Sequence, residues 1–464
     1  MFNKKTYIQR RTALKKKVGS GIALFLANNE APMNYADNTY HYRQDSTFSY
    51  FFGLNIPNLA GVLDFDEGKE ILFGNDFTIN DIVWMGPQPT VKQLASKCGV
   101  QNTNTFDDLA AYLRNALVKG RAVHFIPQYR HDNVLILSKL LGIDPFRIDD
   151  YVSLKLMKAV IELRSVKSKE ELDEIEKAIS ISYEMHTAAM RFTKAGMVEQ
   201  EIAGFVEGIA LSLGGGTSFP TIFTKNGQTL HNHFHGNLLA DGDLVIQDSG
   251  AETAELYASD ITRTFPVSGQ FSPRQRDIYQ IVLDANLQAI KMMKPGITNK
   301  AVHIKAATVI AQGLKDLGLM KGNVNDAVKN GAHALFFPHG LGHLLGMDVH
   351  DLENYGEHYT GYDDKNIRST QFGLKSLRYG KKLVPGNVLT VEPGIYFIPQ
   401  LIDMWSAEKK LAQFINYSKV EKYKDFGGVR IEDDIVITRT GSKVLGVPIP
   451  KTVDEVEEIA SDKI

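Results

Sequence analysis

Cysteine is almost missing from this chain: Cys98 is the single one among 464 residues. One thiol cannot build an intramolecular disulfide framework or a cysteine zinc cluster. Any bound metal would therefore have to be held by Asp, Glu and His. An excess of one charge is missing too. With 52 basic and 54 acidic residues the formal charge is −2, so no overall field draws the chain to a phosphate backbone. Long apolar runs are absent: no segment reaches the ~18 apolar residues that span a bilayer. The N-terminus is basic over residues 4–17 and apolar over 21–27, which superficially resembles a secretory signal. The apolar run is short, however, and Asn28, Asn29 and Glu30 offer no small-x-small cleavage pattern. An amphipathic helix followed by a strand is expected there, in a cytoplasmic protein. Internal repeats and low-complexity tracts are not found.

What is present is an ordinary globular composition, 43% hydrophobic and 23% charged. The length favours two domains, since domains usually run about 100–200 residues. Short apolar runs at 22–26, 61–63 and 70–73 alternate with helical patterns at 91–98 and 106–117. That predicts a small mixed α/β domain. Ser168 and Glu171 form a capping-box signature ahead of Leu172, Ile175 and Ile179, so a new helix starts there. Beyond it, helices such as 274–293 mix with strands such as 244–247, 388–391 and 434–438, which predicts an α+β domain. The boundary is placed between residues 153 and 154, giving domains 1–153 and 154–464.

Four of these apolar segments carry acids where strands disfavour them: Asp248 after Leu-Val-Ile-Gln, Asp260 in Ala-Ser-Asp-Ile-Thr, Glu392 in Leu-Thr-Val-Glu-Pro-Gly and Glu432 in Val-Arg-Ile-Glu-Asp-Asp. Taken singly, each reads as a solvated face or a turn. Together they do not, because burying an unpaired carboxylate costs several kcal/mol. Asp248 and Asp260 flank a short Gly-containing connection, and a hairpin would set them face to face on adjacent strands. Four carboxylates in one pocket would keep at least one protonated unless cations are bound, and two divalent cations would balance them. The Gly-rich, apolar stretch PHGLGHLLGMDVHD adds His339, His343 and His350. One imidazole beside four carboxylates suits Mn²⁺, Co²⁺ or Zn²⁺ better than Ca²⁺ or a thiolate-selected metal.

The ordered set DSG (Asp248), SDITRTFPV (Asp260), PHGLGHLLGMDVHD (His343), TVEPGIYF (Glu392) and GGVRIEDDIVI (Glu432) resembles the proline-specific metallopeptidases, aminopeptidase P and prolidase. The likeness extends over most of residues 160–450, and the segment YRQDSTFSYFFG at 42–53 resembles the N-terminal domain of that group. The resemblance implies a C-terminal α+β pita-bread domain, a curved antiparallel sheet covered by helices, behind a smaller mixed α/β N-terminal domain. It implies two divalent metal ions, Mn²⁺ foremost, held by Asp248, Asp260, His343, Glu392 and Glu432. His231, His339 and His350 fall where the family places substrate-contacting imidazoles, with His233 and His235 close enough to compete with the first. Tyr396 and Arg430 match positions that orient ligands and balance their charge.

The reaction so implied is hydrolysis of the bond before a proline at the second position of a small peptide. Glu392 would ferry a proton to the leaving nitrogen, and His339 and His350 would contact substrate and oxyanion. A homo-oligomer is implied, with neither nucleic acid nor membrane as partner. Arg378 lies in a long insert, 353–382, which together with the extended loop at 405–428 resembles prolidases; it falls where they place a carboxylate-binding arginine. That favours dipeptides, whereas Ala36-Asp37 and the segment at 42–45 fit aminopeptidase P equally. The alternative for Arg378 is a solvated arginine on a mobile loop. One departure stands out: eleven residues separate Asp248 from Asp260, one more than the commonest family pattern. Rival readings are a methionine aminopeptidase of the same fold, a metal-free peptide-binding module, and creatinase-like hydrolysis. Retention of all five ligands argues against the metal-free readings, and the large N-terminal domain against methionine specificity.

Overall fold

The computed structural model describes residues 1–463. The chain divides into two compact units. The first comprises Met1–Arg164 with Leu352–Tyr359, the second Ser165–Asp351 with the chain from Thr360 onward. Among the described residues, no helix is long and apolar enough to cross a membrane.

In the first unit, β1 (Ile22–Leu26), β2 (Ala60–Asp64), β3 (Lys69–Phe73), β4 (Asn102–Asn104) and β5 (Val123–His124) form one sheet in the order β4-β3-β2-β1-β5. The inner pairs are antiparallel and the two outer pairs parallel. β1 and β2 are buried at every position, as a sheet covered on both faces requires. Ile22, Leu24 and Val62 pack in one cluster with Leu109 and Leu113 of the helix Asp108–Val118 and Leu137 of the helix His131–Leu141. Phe25 meets Phe51 and Phe52 of the helix Ser46–Phe52. The first helix, Lys4–Val18, is anchored by Arg11, whose guanidinium donates to the Phe51 and Cys98 carbonyls and to Glu70.

The helix Leu154–Ser165 also joins this unit. Arg164 donates to Thr47 Oγ1 at 2.7 Å and Tyr50 OH to the Leu163 carbonyl at 3.2 Å. The compact unit therefore runs past position 153, because the side chains at the end of that helix find their partners at residues 47–50.

The second unit is the expected α+β arrangement. Its strands are β6 (Gly216–Thr217), β7 (Ile222–Thr224), β8 (Leu244–Ser249), β9 (Ala251–Glu252), β10 (Ile261–Pro266), β11 (Val388–Val391), β12 (Gly394–Tyr396), β13 (Gly428–Arg430), β14 (Asp433–Ile437) and β15 (Ser442–Val444). They form small sheets, β10-β8-β7, β11-β14-β15, β12-β13 and β6-β9, paired antiparallel throughout. Hydrogen bonds stitch the first of these to the strands near Glu432: Glu432 N donates to the Thr262 carbonyl at 3.0 Å, and Thr264 Oγ1 donates to the Arg430 carbonyl at 2.8 Å.

Four longer helices pack on these sheets, Lys169–Phe192, Glu199–Leu213, Pro273–Met292 and Val453–Ser461, and Asn299–Asp316 packs against the third of them. The first opens on the predicted capping box, with Ser168 and Glu171 satisfying each other's backbone N–H. His186 of that helix bonds the Ser249 carbonyl at 3.1 Å, and Asn286 of the third donates to the Val391 carbonyl at 3.0 Å. Helix side chains thus grip the backbone beside Asp248 and Glu392.

Candidate metal centre

Asp248 is the fifth residue of β8, and the β8–β10 register sets it opposite Thr262. Asp260 lies two positions before Thr262, just ahead of β10. Side chains two apart along a strand share a face, so the two acids are diagonal neighbours on one face rather than directly opposed. Within the connection between them, Leu256 adopts a left-handed φ of 66°. Glu392 and Glu432 sit in the breaks between β11 and β12 and between β13 and β14. Pro393 has no N–H to continue a ladder, which ends β11 at this point. His343 comes from a loop that runs along β11: Thr390 N donates to the His343 carbonyl at 3.0 Å and Glu392 N to the Leu341 carbonyl at 2.8 Å.

These placements bring ligand-type atoms together. Asp260, His343 and Glu432 each offer an atom within 4.8 Å of the others. His343 Nε2 lies 3.3 Å from Asp260 Oδ2 and 3.7 Å from Glu392 Oε1. Burial, followed by the neighbouring His350, drives the His343 pKa well below its usual value, so the ring is neutral. Its Nδ1–H donates to the Leu344 carbonyl at 3.1 Å, and the Nε2 lone pair faces the carboxylates. A lone pair aimed at carboxylate oxygens is repulsive unless a cation stands between them.

The acids are strained in the same sense. Burial, then Glu432 and Asp248, raise Asp260 well above the carboxylate range. Burial, then Glu392 and Asp248, do the same to Glu432. Glu392 is pushed up to about 8, chiefly by burial and against the opposing pull of Arg430. Among the described residues, Asp248 Oδ1, Asp260 Oδ1 and Glu432 Oε1 have no hydrogen-bond partner. Buried carboxylate oxygens are normally satisfied, so this donor set, three orphaned oxygens and one neutral imidazole, fits divalent metal.

A polar frame surrounds the ligands. Arg430 donates through Nη2 to Asp248 Oδ2 at 2.5 Å, through Nη1 to Tyr396 OH at 2.9 Å and through Nε to Thr262 Oγ1 at 3.1 Å. Tyr396 OH lies 2.9 Å from His339 Nε2, and His339 Nδ1 lies 2.8 Å from the Gly340 carbonyl. Burial and then Arg430 lower His339 to about 3, which keeps it neutral. Its Nδ1–H must therefore donate to Gly340, and Nε2 accepts the tyrosine proton. The His350 ring sits edge-on to His343, with centroids 4.2 Å apart.

One cavity of about 480 Å³ is lined by Asp248, Asp260, His343, Glu392 and Glu432 together with His231, His339, His350, Arg378 and Arg430. Tyr396 stands behind this lining, joined to it through His339 and Arg430. Of the competing histidines, His233 lines the cavity beside His231, whereas His235 Nδ1 lies 3.1 Å from the Phe223 carbonyl. Four residues escape sequence reasoning. Thr262 donates to Glu432 Oε2 at 2.7 Å, Asp434 accepts from Asp260 N at 3.1 Å, and Phe219 and Pro220 form an apolar wall. The one signal that could have marked Thr262 is its position two residues after Asp260 on the same face.

Comparison with known proteins bears on this site. The sequence model of Metallopeptidase family M24 matches residues 173–439, and that of the Aminopeptidase P N-terminal domain matches residues 7–124. The Xaa-Pro dipeptidase of Rattus norvegicus is 34% identical over 453 residues, covering 95% of this chain and 89% of its own. The Xaa-Pro aminopeptidase of Escherichia coli K12 is 32% identical over 471 residues, covering 98% of each. Among solved structures, zinc-substituted E. coli aminopeptidase P in complex with product superposes with a TM-score of 0.81 at 31% identity, covering 99% of this chain and 98% of that one.

Proposed function

We propose a function from this premise: the chain belongs to Metallopeptidase family M24, in its proline-specific aminopeptidase P and prolidase group. It is an Xaa-Pro metallo-exopeptidase that cleaves the bond between an N-terminal residue and proline, using divalent metal. The finer reading is ours. Two metal ions are held by Asp248, Asp260, His343, Glu392 and Glu432, and Mn²⁺ suits this oxygen-rich set with one imidazole. Dipeptides are preferred substrates. The observation carrying that preference is Arg378, which lines the same cavity as the ligand set.

When bound, the metal supplies Lewis acidity toward a water and the scissile carbonyl. The chain's own groups do the rest. Glu392 accepts a proton from the attacking water at a carboxylate oxygen. It passes that proton to the proline nitrogen as the C–N bond breaks and the water oxygen bonds to the carbonyl carbon. His350 donates to the oxyanion, and His231 contacts the substrate from across the cavity. Arg430 and Tyr396 fix Asp248 and His339 so that no ligand has to reorganise. The guanidinium of Arg378 takes the C-terminal carboxylate in a two-pronged contact, which only a short peptide can reach from the metal ligands. Xaa-Pro bonds need such a dedicated site because they lack an amide N–H and hold a fixed φ.

The test is to remove metal with a chelator, restore Mn²⁺, and compare Gly-Pro with a Gly-Pro-containing tripeptide. Activity should return with Mn²⁺ and favour the dipeptide. Turnover confined to the tripeptide would reject the dipeptide preference while leaving the family reading intact.

A further inference from the structure

The turn that carries Arg378 is tied down at several points. It is a short 3-10 helix, Leu374–Ser376, followed by the fully buried Leu377. Gly340, next to His339 in the cavity lining, lies directly against it: a Cβ there would stand 2.7 Å from Leu377 Cα and 2.8 Å from the Ser376 carbonyl oxygen. Gly361 meets the next residue, since a Cβ on it would stand 1.9 Å from the Arg378 carbonyl oxygen. Its own carbonyl accepts from Gly380 N at 2.9 Å and Lys381 N at 3.1 Å. Tyr362, buried, donates its hydroxyl to the Leu377 carbonyl and covers Gly380 with its ring. The exit from the turn is held by Asn299, which donates through Nδ2 to the Tyr379 carbonyl at 3.0 Å and through its backbone N to the Lys381 carbonyl at 2.9 Å. The backbone on both sides of Arg378 is thus held by contacts from Gly340, Gly361, Tyr362 and Asn299.

We infer that Tyr362, seated beside Gly361, is a positioning residue for substrate length: it fixes the Leu377 carbonyl, and with it the Arg378 Cα, so that the guanidinium is presented to a dipeptide's carboxylate already in place. This rests on the carboxylate-binding reading of Arg378. A two-pronged guanidinium contact tolerates only about half an ångström of misplacement. An arginine on a loose loop would have to be ordered at each binding event, and that ordering subtracts from affinity. Because Arg378 meets the substrate's far end and not the reacting carbonyl, loosening the turn changes binding and leaves the chemical step alone. Tyr362 is not among the residues lining the cavity; it acts through Leu377 and Arg378.

The experiment uses full-length, Mn²⁺-restored enzyme and compares Gly-Pro with Gly-Pro amide, which lacks the carboxylate, for wild type, Tyr362→Phe, Gly361→Ala and Arg378→Ala. Tyr362→Phe keeps the ring and removes only the hydroxyl. It is expected to raise KM for Gly-Pro roughly three- to tenfold, with kcat held within about twofold and the amide's KM unchanged. Gly361→Ala should do more, since its Cβ must displace the Arg378 carbonyl; if it fails to fold, Tyr362→Phe decides alone. Discrimination at wild-type level in the folded variants, with Arg378→Ala abolishing it, would overturn the role of Tyr362 and leave the carboxylate reading standing. An unchanged Arg378→Ala would overturn both. A uniform loss of kcat on both substrates in Tyr362→Phe would mark Tyr362 as merely structural and also overturn the inference.

Discussion

The hydroxyl of Thr262 donates to Glu432 Oε2 at 2.7 Å and accepts from Arg430 Nε at 3.1 Å. It therefore sets the direction in which the other oxygen of Glu432 points. Thr262→Val keeps the shape and the strand preference but removes both bonds. Groups that orient a metal ligand typically contribute 10- to 100-fold, so metal affinity should fall by about that much. A chelator-competition titration against Mn²⁺ reads this directly, and an unchanged midpoint would show that Glu432 needs no orienting partner. At this scale the sequence was informative where a residue type is out of place. Asp248, Asp260, Glu392 and Glu432 are acids in strand-like surroundings, and all four line the cavity. Thr262 was silent because threonine belongs in strands. Arg263 was silent too, although its buried guanidinium donates to the Glu432 carbonyl at 2.6 Å and to Asp433 at 2.7 Å. Nothing local announces that a strand arginine points inward.

Helix Lys169–Phe192 connects the residue scale to the next, because His186 on it bonds the backbone beside Asp248. Its N-terminus is a capping box with Ser168 as N-cap, and Glu171 also accepts from Tyr257 OH at 3.1 Å. Ser168→Ala should cost about 1 kcal/mol of unfolding free energy, measured by denaturant midpoint, with kcat unchanged. A large activity loss would instead mean that the helix end is coupled to the cavity. Capping boxes are legible because all their information lies within four consecutive residues. The β8–β10 register was not, since it depends on which residue of one strand meets which of the other, and a connection one residue longer can be taken up in a turn. The insert was read as two alternatives, one of them a mobile loop. Part of what holds it, Gly340 and Asn299, lies outside it in sequence, where no local pattern points to it.

Over the whole molecule, buried titratable groups pull stability in two directions. Glu392, with an ordinary value of 4.5, is held at about 8 when no metal shares its pocket. Between those values the folded chain keeps a proton that the unfolded chain has released, so this contribution is present at low pH and lost as pH rises toward 8. A cation replaces that proton, and the loss disappears. His186, His303 and His333 act oppositely, because burial lowers them from 6.5 to about 3, about 3 and about 4. Below pH 6.5 the unfolded chain takes up protons that these rings refuse, and stability falls with pH. Among the described residues, none of the four ring nitrogens of His303 and His333 has a hydrogen-bond partner. Chelated protein should therefore show a melting temperature that declines on both sides of a narrow maximum. Mn²⁺-loaded protein should keep its value from pH 6.5 to 8.5. Parallel curves for the two forms would contradict the charge balance argued for the pocket.

The first compact unit also takes in Leu352–Tyr359, where the hydroxyls of Thr47 and Tyr355 meet. Protein synthesis runs in one direction, so that unit lacks Leu352–Tyr359 until the intervening residues 165–351 have been made. The ligand set waits longer still, since Arg430 and its partner Asp248 stand 182 positions apart. Contacts so distant in sequence form late and slowly. A nascent chain has no pocket in which to capture metal, and any truncation that ends the chain before Glu432 removes at least one proposed ligand outright. Neither unit corresponds to a contiguous stretch of gene that recombination could lift out whole.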